Sequence, residues 1–413
     1  MERYGLFIDG AWRETGRWQE VRNKFTGEVI AQVSVASQED VAQAVRAARR
    51  AADRGPLPPY QRYEILKRAG ELLAERAEEF ARSIAAEGGK PLKEARVEVS
   101  RAVQTLTLSG EEAKRIHGEG VPVEAAPGSE NRLAFTIRVP VGVVCAISPF
   151  NFPLNLAAHK IGPALAAGNA VVHKPAGATP VTAAKLCQLL IDAGLPPGYL
   201  NLVFGPGSQV GEWLLENPEI DMYTFTGSPA VGERIKTRSG LRRVTLELGN
   251  NSAVIVHRDA DLATAARLSA ARAFANAGQV CISVQRIYVH RDVVDAFREA
   301  LVAATRALRV GDPLDPETDV GPMISEAEAA RAEAWVQEAV AGGARILTGG
   351  TREGALLQPT VLVDVRPDMK VVCNEIFAPV VTVIPYETLN EAIEAVNDSP
   401  YGLQAGVFTE SLE

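Results

Sequence analysis

From Pro140 onward the sequence alternates short apolar runs with helical segments, and this alternation constrains the fold more than any other feature. VGVVCAIS, NAVVHKPA, LNLVFG, MYTFTG and RVTLELG read as strands; LNLAAHKIGPALAAG, PVTAAKLCQLLIDAG, SQVGEWLLEN and SPAVGERIKTR read as the helices between them. Strands that are apolar throughout need cover on both faces, which helices packed on a parallel sheet provide. The expected fold class is therefore α/β, with a Rossmann-like parallel sheet that presents ligands at the carboxyl ends of its strands. A second series follows Gly249, with SAVIVH, SVQRIYVH, ARILTGG, LQPTVLVDV and PVVTVIPY as strands, and predicts a second α/β domain. At 413 residues and 46% hydrophobic, the chain is large enough to fill both cores.

Before Pro140 the pattern differs. The opening to about Thr26 reads as short strands and turns, and Ser37 with Asp40 three residues on approximates a capping box at the start of an amphipathic helix. Two longer helices are expected from about Tyr60 to Ala86 and from about Pro91 to Ile116, with charges on a solvated face. Residues 118–138 are Ala/Pro/Gly-rich and then extended, a β arm with little core of its own that must pack on another domain or subunit. The expected organisation is a cofactor domain at 1–117 and 139–249, the arm at 118–138, and a catalytic domain at 250–413.

Several function classes are excluded by what the chain lacks. Its net charge of −8 and the absence of a basic, aromatic-interleaved stripe argue against nucleic acid. The first residues, MERYGLFIDGAW, do not form a secretory signal, and the apolar run from Leu156 to Val172 is broken by polar residues, so neither export nor membrane insertion is expected and the location is read as cytoplasmic. Cys145, Cys187, Cys281 and Cys373 form no CxxC pair, and the five histidines lack ligand spacing, so no disulfide frame and no metal are assigned.

The chemistry-bearing positions fall at the strand ends. Cys281, after a Gly-Gln-Val turn, is either a nucleophile or a small buried hydrophobe. Glu247 ends what reads as a buried strand, where an unpaired carboxylate would be costly, so it is expected to face the crevice as a general base. Asn151 stands in SPFNFP, held by two prolines and two aromatics; it either satisfies a turn or donates to an oxyanion. Lys174 ends the strand before Pro175, suited to a ribose or phosphate. Gly227 and Ser228 open a helix, where free N–H groups suit a phosphate, with Ser228 otherwise a plain N-cap. Glu375 and Phe377 in CNEIFAPV say little alone.

Taken in order, SPFNFP, HKPAGATP, FTGSPAVG, LELG, GQVC and NEIFAPV resemble the motif series of the aldehyde dehydrogenase superfamily. The resemblance implies oxidation of an aldehyde to a carboxylic acid with NAD(P)+. Cys281 would match the nucleophile, Asn151 the oxyanion donor and Glu247 the base that deprotonates the hydrolytic water. It places Lys174 at the adenosine ribose, Gly227 and Ser228 at the pyrophosphate and Glu375 at the nicotinamide ribose with Phe377 beside it. Ser148, Phe150, Gly177, Gly207 and Leu248 complete the cofactor set. The arm would bridge subunits, implying a homodimer or homotetramer.

The sequence departs from the family pattern in four places. Gly177 replaces a Glu that NAD-preferring relatives use against the ribose hydroxyls, which implies NADP or dual use. Phe150 stands for a common Trp, and Asn250 makes ELGNNS, which resembles the lactaldehyde and semialdehyde branch and implies a short aldehyde. The chain also ends at SPYGLQAGVFTESLE, where family members continue, so unpaired strand edges and an exposed apolar patch are expected. Three further readings stand beside aldehyde oxidation with hydrolysis: acyl transfer to CoA, which Glu247 argues against; a truncated homologue that binds cofactor without turnover; and a cysteine hydrolase, which leaves the cofactor positions unexplained.

Overall fold

The computed structural model describes residues 1–411. Its first large sheet has seven strands, in the spatial order Arg243–Glu247, Met222–Thr226, Val143–Ile147, Ala170–Lys174, Leu200–Leu202, Leu6–Ile8, Ala11–Arg13. The first five are parallel, as continuous apolar runs require, while the two N-terminal strands extend the sheet antiparallel. The sheet's core is built from residues such as Val144, Val172 and Leu202 against the helices on its faces.

The second sheet has six strands, ordered Arg345–Thr348, Thr360–Val363, Val380–Tyr386, Val284–His290, Ser252–Val256, Ala405–Phe408. All neighbours are parallel except the first pair. Ala405–Phe408 pairs with Ser252–Val256 and leaves its other side as an open edge, with Val407 58% exposed. A three-stranded sheet (Glu2–Tyr4, Val29–Ser34, Trp18–Arg22) closes the N-terminal region.

Helix starts follow local chemistry. Ser37 and Asp40 form a reciprocal capping box at helix Gln38–Asp53, so Ala44, Val45 and Ala48 are buried on its inner face. The helix expected from Tyr60 to Ala86 is instead two, Pro59–Glu75 and Ala77–Gly88. Arg76, at φ −104 and ψ 20, breaks the run, and the turn lets Phe80 and Ile84 bury while the Arg76 guanidinium lies over the Phe80 ring. The segment SQVGEWLLEN likewise starts with a π turn at Gly207–Gly211 before the short helix Glu212–Glu216.

Arg243–Glu247 departs from its sequence reading in burial. It is the edge of the sheet, so its residues alternate between exposed and half-buried, and Glu247 itself is exposed. An edge strand has a neighbour on one side only, which the apolar look of VTLEL did not reveal. The arm forms a hairpin of two-residue strands, Gly120–Val121 and Ala134–Phe135, with Leu133 90% and Phe135 69% exposed. No helix among the described residues is long and apolar enough to cross a membrane.

Candidate active site

The carboxyl ends of Val143–Ile147, Ala170–Lys174 and Met222–Thr226 open into a cleft of about 780 Å³. That volume falls in the range of small-molecule and cofactor sites. Cys281, Asn151 and all ten positions expected to hold cofactor line this one cleft. Glu247 does not line it, a correction that follows from its place on the exposed edge strand. It is still within electrostatic reach of Cys281, whose thiol it helps to hold protonated.

The turn leading to Cys281 follows helix Leu262–Ala273. Asn276, Ala277 and Gly278 adopt left-handed φ values of 48°, 54° and 70° in succession. Two non-glycine residues in this region store strain that the surroundings must overcome. At Gly278 a Cβ would come 2.0 Å from Ala378 O, so only glycine fits. Gln279 ties the turn together: its Nε2 donates to Asn276 O (3.1 Å) and its Oε1 accepts from Ile324 N (2.9 Å).

Asn151 meets this turn directly. Its Nδ2 donates to Gln279 O at 2.9 Å, which leaves the second N–H of the amide available. Its buried Oδ1 has no hydrogen-bond partner. Burial, then the Glu375 and Glu247 carboxylates, push the Cys281 thiol above its ordinary range, so at neutral pH it carries its proton.

The cofactor side is equally specific. Ser228 starts helix Pro229–Arg238 without a side-chain capping bond, so its hydroxyl is not spent on the helix. Lys174 is buried, its ammonium donates to Pro175 O (3.2 Å), and desolvation brings its pKa down to about 8. Ser148 lines the cleft but shares its hydroxyl with His173 Nε2 at 2.9 Å. Glu375 accepts from Asn250 N at 2.9 Å and approaches Gly249 so closely that a Cβ there would sit 2.4 Å from its Oε2. Phe150 and Phe377 meet edge-to-face at 6.0 Å, the latter from a positive φ of 51°. A cleft with a free helix start, a buried lysine and a placed carboxylate fits a dinucleotide.

Lys160 was not singled out from sequence. It lies buried on helix Asn155–Ala166, donates to Thr226 Oγ1 (2.8 Å), and is brought down to about 8 by desolvation, with Glu247 opposing the shift. A lysine inside an otherwise apolar helix was the available signal. Arg234 and Glu212, a bidentate ion pair at the cleft wall, were also missed, because their pairing joins two separate helices. No cluster of three or more His, Cys, Asp or Glu side chains suited to a metal occurs among the described residues.

Known proteins share this architecture. The chain is 56% identical to a 3-sulfolactaldehyde dehydrogenase of Priestia aryabhattai over 413 residues, 100% of this chain and 86% of that one. It superposes at TM-score 0.96 on an NAD-dependent aldehyde dehydrogenase of Sinorhizobium meliloti, at 36% identity, covering 100% of this chain and 84% of that one. An NADP-dependent enzyme of E. coli gives the same TM-score and identity, covering 100% and 86%. With residues 12–413 matched by the family model described as "Aldehyde dehydrogenase family", this chain belongs to the aldehyde dehydrogenase family.

Proposed function

We propose that Cys281, Asn151 and Glu247 carry out the family's NAD(P)-dependent oxidation of an aldehyde to a carboxylic acid in this chain. The observation that supports this most is the convergence of the Cys281 turn and the Asn151 amide at one end of the cofactor cleft. The Cys281 proton leaves to solvent water in the cleft, and the thiolate attacks the aldehyde carbon to give a thiohemiacetal. The free Asn151 N–H and a backbone N–H stabilise its oxyanion. When bound, the nicotinamide supplies the acceptor for the hydride that leaves this carbon. Glu247 then deprotonates a water that attacks the Cys281 thioester, and collapse expels the thiolate and the acid.

The cofactor-binding unit in this reading is residues 1–117 with 139–249, and residues 250–413 form the catalytic unit. Lys174 serves the adenosine ribose, Gly227 and Ser228 the pyrophosphate, and Glu375 the nicotinamide ribose. Gly177 leaves the ribose 2′ position without a repelling carboxylate, so we assign NADP or dual use.

For substrate, the similarity to a 3-sulfolactaldehyde dehydrogenase supports a short hydroxyaldehyde with an anionic group. Exposed Arg101 has no ion-pair partner among the described residues. It lies one helical turn from Thr105, whose hydroxyl reaches Asn155 Oδ1 (3.0 Å) and His159 Nε2 (3.4 Å), on the helix that follows the Asn151 loop. In this reading Arg101 offers the cation for that anionic group. The apolar arm at 118–138 supports assembly with a second copy of the chain as a homodimer or homotetramer.

The test is a single turnover of Glu247→Gln. It is expected to release about one equivalent of reduced cofactor per chain and then stall, with steady-state turnover reduced on the order of 10²-fold or more. Undiminished steady turnover, or no burst on any short aldehyde, would contradict the assignment.

A further inference from the structure

The nucleophile turn is strained, and what holds it from outside is a carboxylate that the reaction itself does not use. Helix Leu92–Ala113 begins beside the active site, and Glu94 in its first turn accepts the Asn276 N–H at 2.9 Å. Asn276 is the first of the three left-handed residues leading to Cys281. One helical turn later, Glu98 accepts the Leu154 and Asn155 N–H groups at 2.9 and 3.1 Å. Those two residues begin the helix that follows the Asn151 loop. Adjacent carboxylates on one helix face therefore grip both the nucleophile turn and the oxyanion loop.

We propose that Glu94 is a positioning residue: its carboxylate fixes the left-handed Asn276–Gly278 turn against the helix that anchors Asn151, and so sets where Cys281 stands relative to the oxyanion donor. The two grips differ in character. Glu98 is fully buried and ion-paired with Lys90, whose ammonium also sits 3.5 Å from the Phe152 ring centroid. Glu94 has no ion pair among the described residues. Lys90 and Lys93 beside it and Arg272 on helix Leu262–Ala273 favour its charge, and Lys93 is itself paired with Asp319. Desolvation outweighs them and raises its pKa to about 7.

The sign of the linkage is informative. A carboxyl with a raised folded pKa binds its proton more tightly when folded, so its contribution to stability falls as pH rises from its ordinary value to about 7. The ionised Glu94 is thus kept at a cost to the fold, which a purely structural acceptor would not require.

The proposal rests on Cys281 being the nucleophile, and its test separates the two. Glu94→Ala and Glu94→Gln are compared with the wild type in burst rate of cofactor reduction, cofactor Kd and melting temperature. Glu94→Ala is expected to slow the burst roughly tenfold or more, as sub-ångström misplacement does, with Kd within about twofold. Glu94→Gln keeps an acceptor and is expected to recover the burst to within about threefold. It should also melt above the wild type at pH 8. A Glu94→Ala burst within about twofold of wild type would overturn the proposal, as would equal impairment of both variants. If Glu94→Ala does not fold, Glu94→Gln decides alone, and a burst slowed by more than about threefold overturns the proposal. A wild type that never acylates Cys281 instead removes the mechanism on which the proposal stands.

Discussion

Cys281 faces two carboxylates and carries its proton at rest, so the site is organised around moving that proton away. That Cys281 and Asn151 meet in one cleft was legible because GQVC and SPFNFP surround them with residues that fix a turn. Glu247 was legible as a position but not in its environment, since nothing in VTLEL distinguishes an edge strand from a central one. Glu94 and Lys160 were not legible as site residues: each looks like an ordinary helix charge, and the Glu94 bond to Asn276 spans 182 positions. In the proposed reading, cofactor choice also rests on a single residue. A Cβ at Gly177 would meet Gln19 Nε2 at 3.5 Å and Oε1 at 3.9 Å, ordinary contacts, and the backbone there is not left-handed, so a side chain brings no backbone strain. Gly177→Glu is expected to shift the ratio of kcat/KM toward NAD by about tenfold or more, through repulsion of the 2′-phosphate. An unchanged ratio would remove Gly177 from the specificity argument.

At the scale of elements, the parallel strands were readable from their unbroken apolar character, and the capping box at Ser37 formed as the spacing predicts. The break at Arg76 was not, because neither Gly nor Pro marks it and the turn depends on where Phe80 can be buried. In the proposed mechanism the turn leading to Cys281 is the element on which function depends most. Gly278 combines a φ of 70° with a backbone oxygen 2.0 Å from where a Cβ would lie. Gly278→Ala is expected to lower stability by at least about 2 kcal/mol in chemical denaturation and to abolish turnover even where the protein stays folded. Full activity in a stable Gly278→Ala variant would show that the turn tolerates displacement.

For the whole molecule, the two-sheet plan followed from the alternation of strands and helices, whereas the antiparallel N-terminal strands required tertiary pairing that no local pattern encodes. The arm was readable as an element without a core, and it exposes Leu133, Phe135, Ile137 and Val139 in one short stretch. Replacing Leu133 and Phe135 with Glu is expected to convert the proposed dimer or tetramer to monomers in light scattering coupled to size exclusion; a wild type that is already monomeric would refute the assembly. In the proposed mechanism one thiol carries the substrate between oxidation and hydrolysis. Peptide mapping by mass spectrometry of Glu247→Gln, quenched after one turnover with a short aldehyde and NADP, is the direct test. An acyl group is expected on the peptide containing Cys281 and on none of the other three cysteine peptides; reduced cofactor formed with Cys281 unmodified would overturn the mechanism.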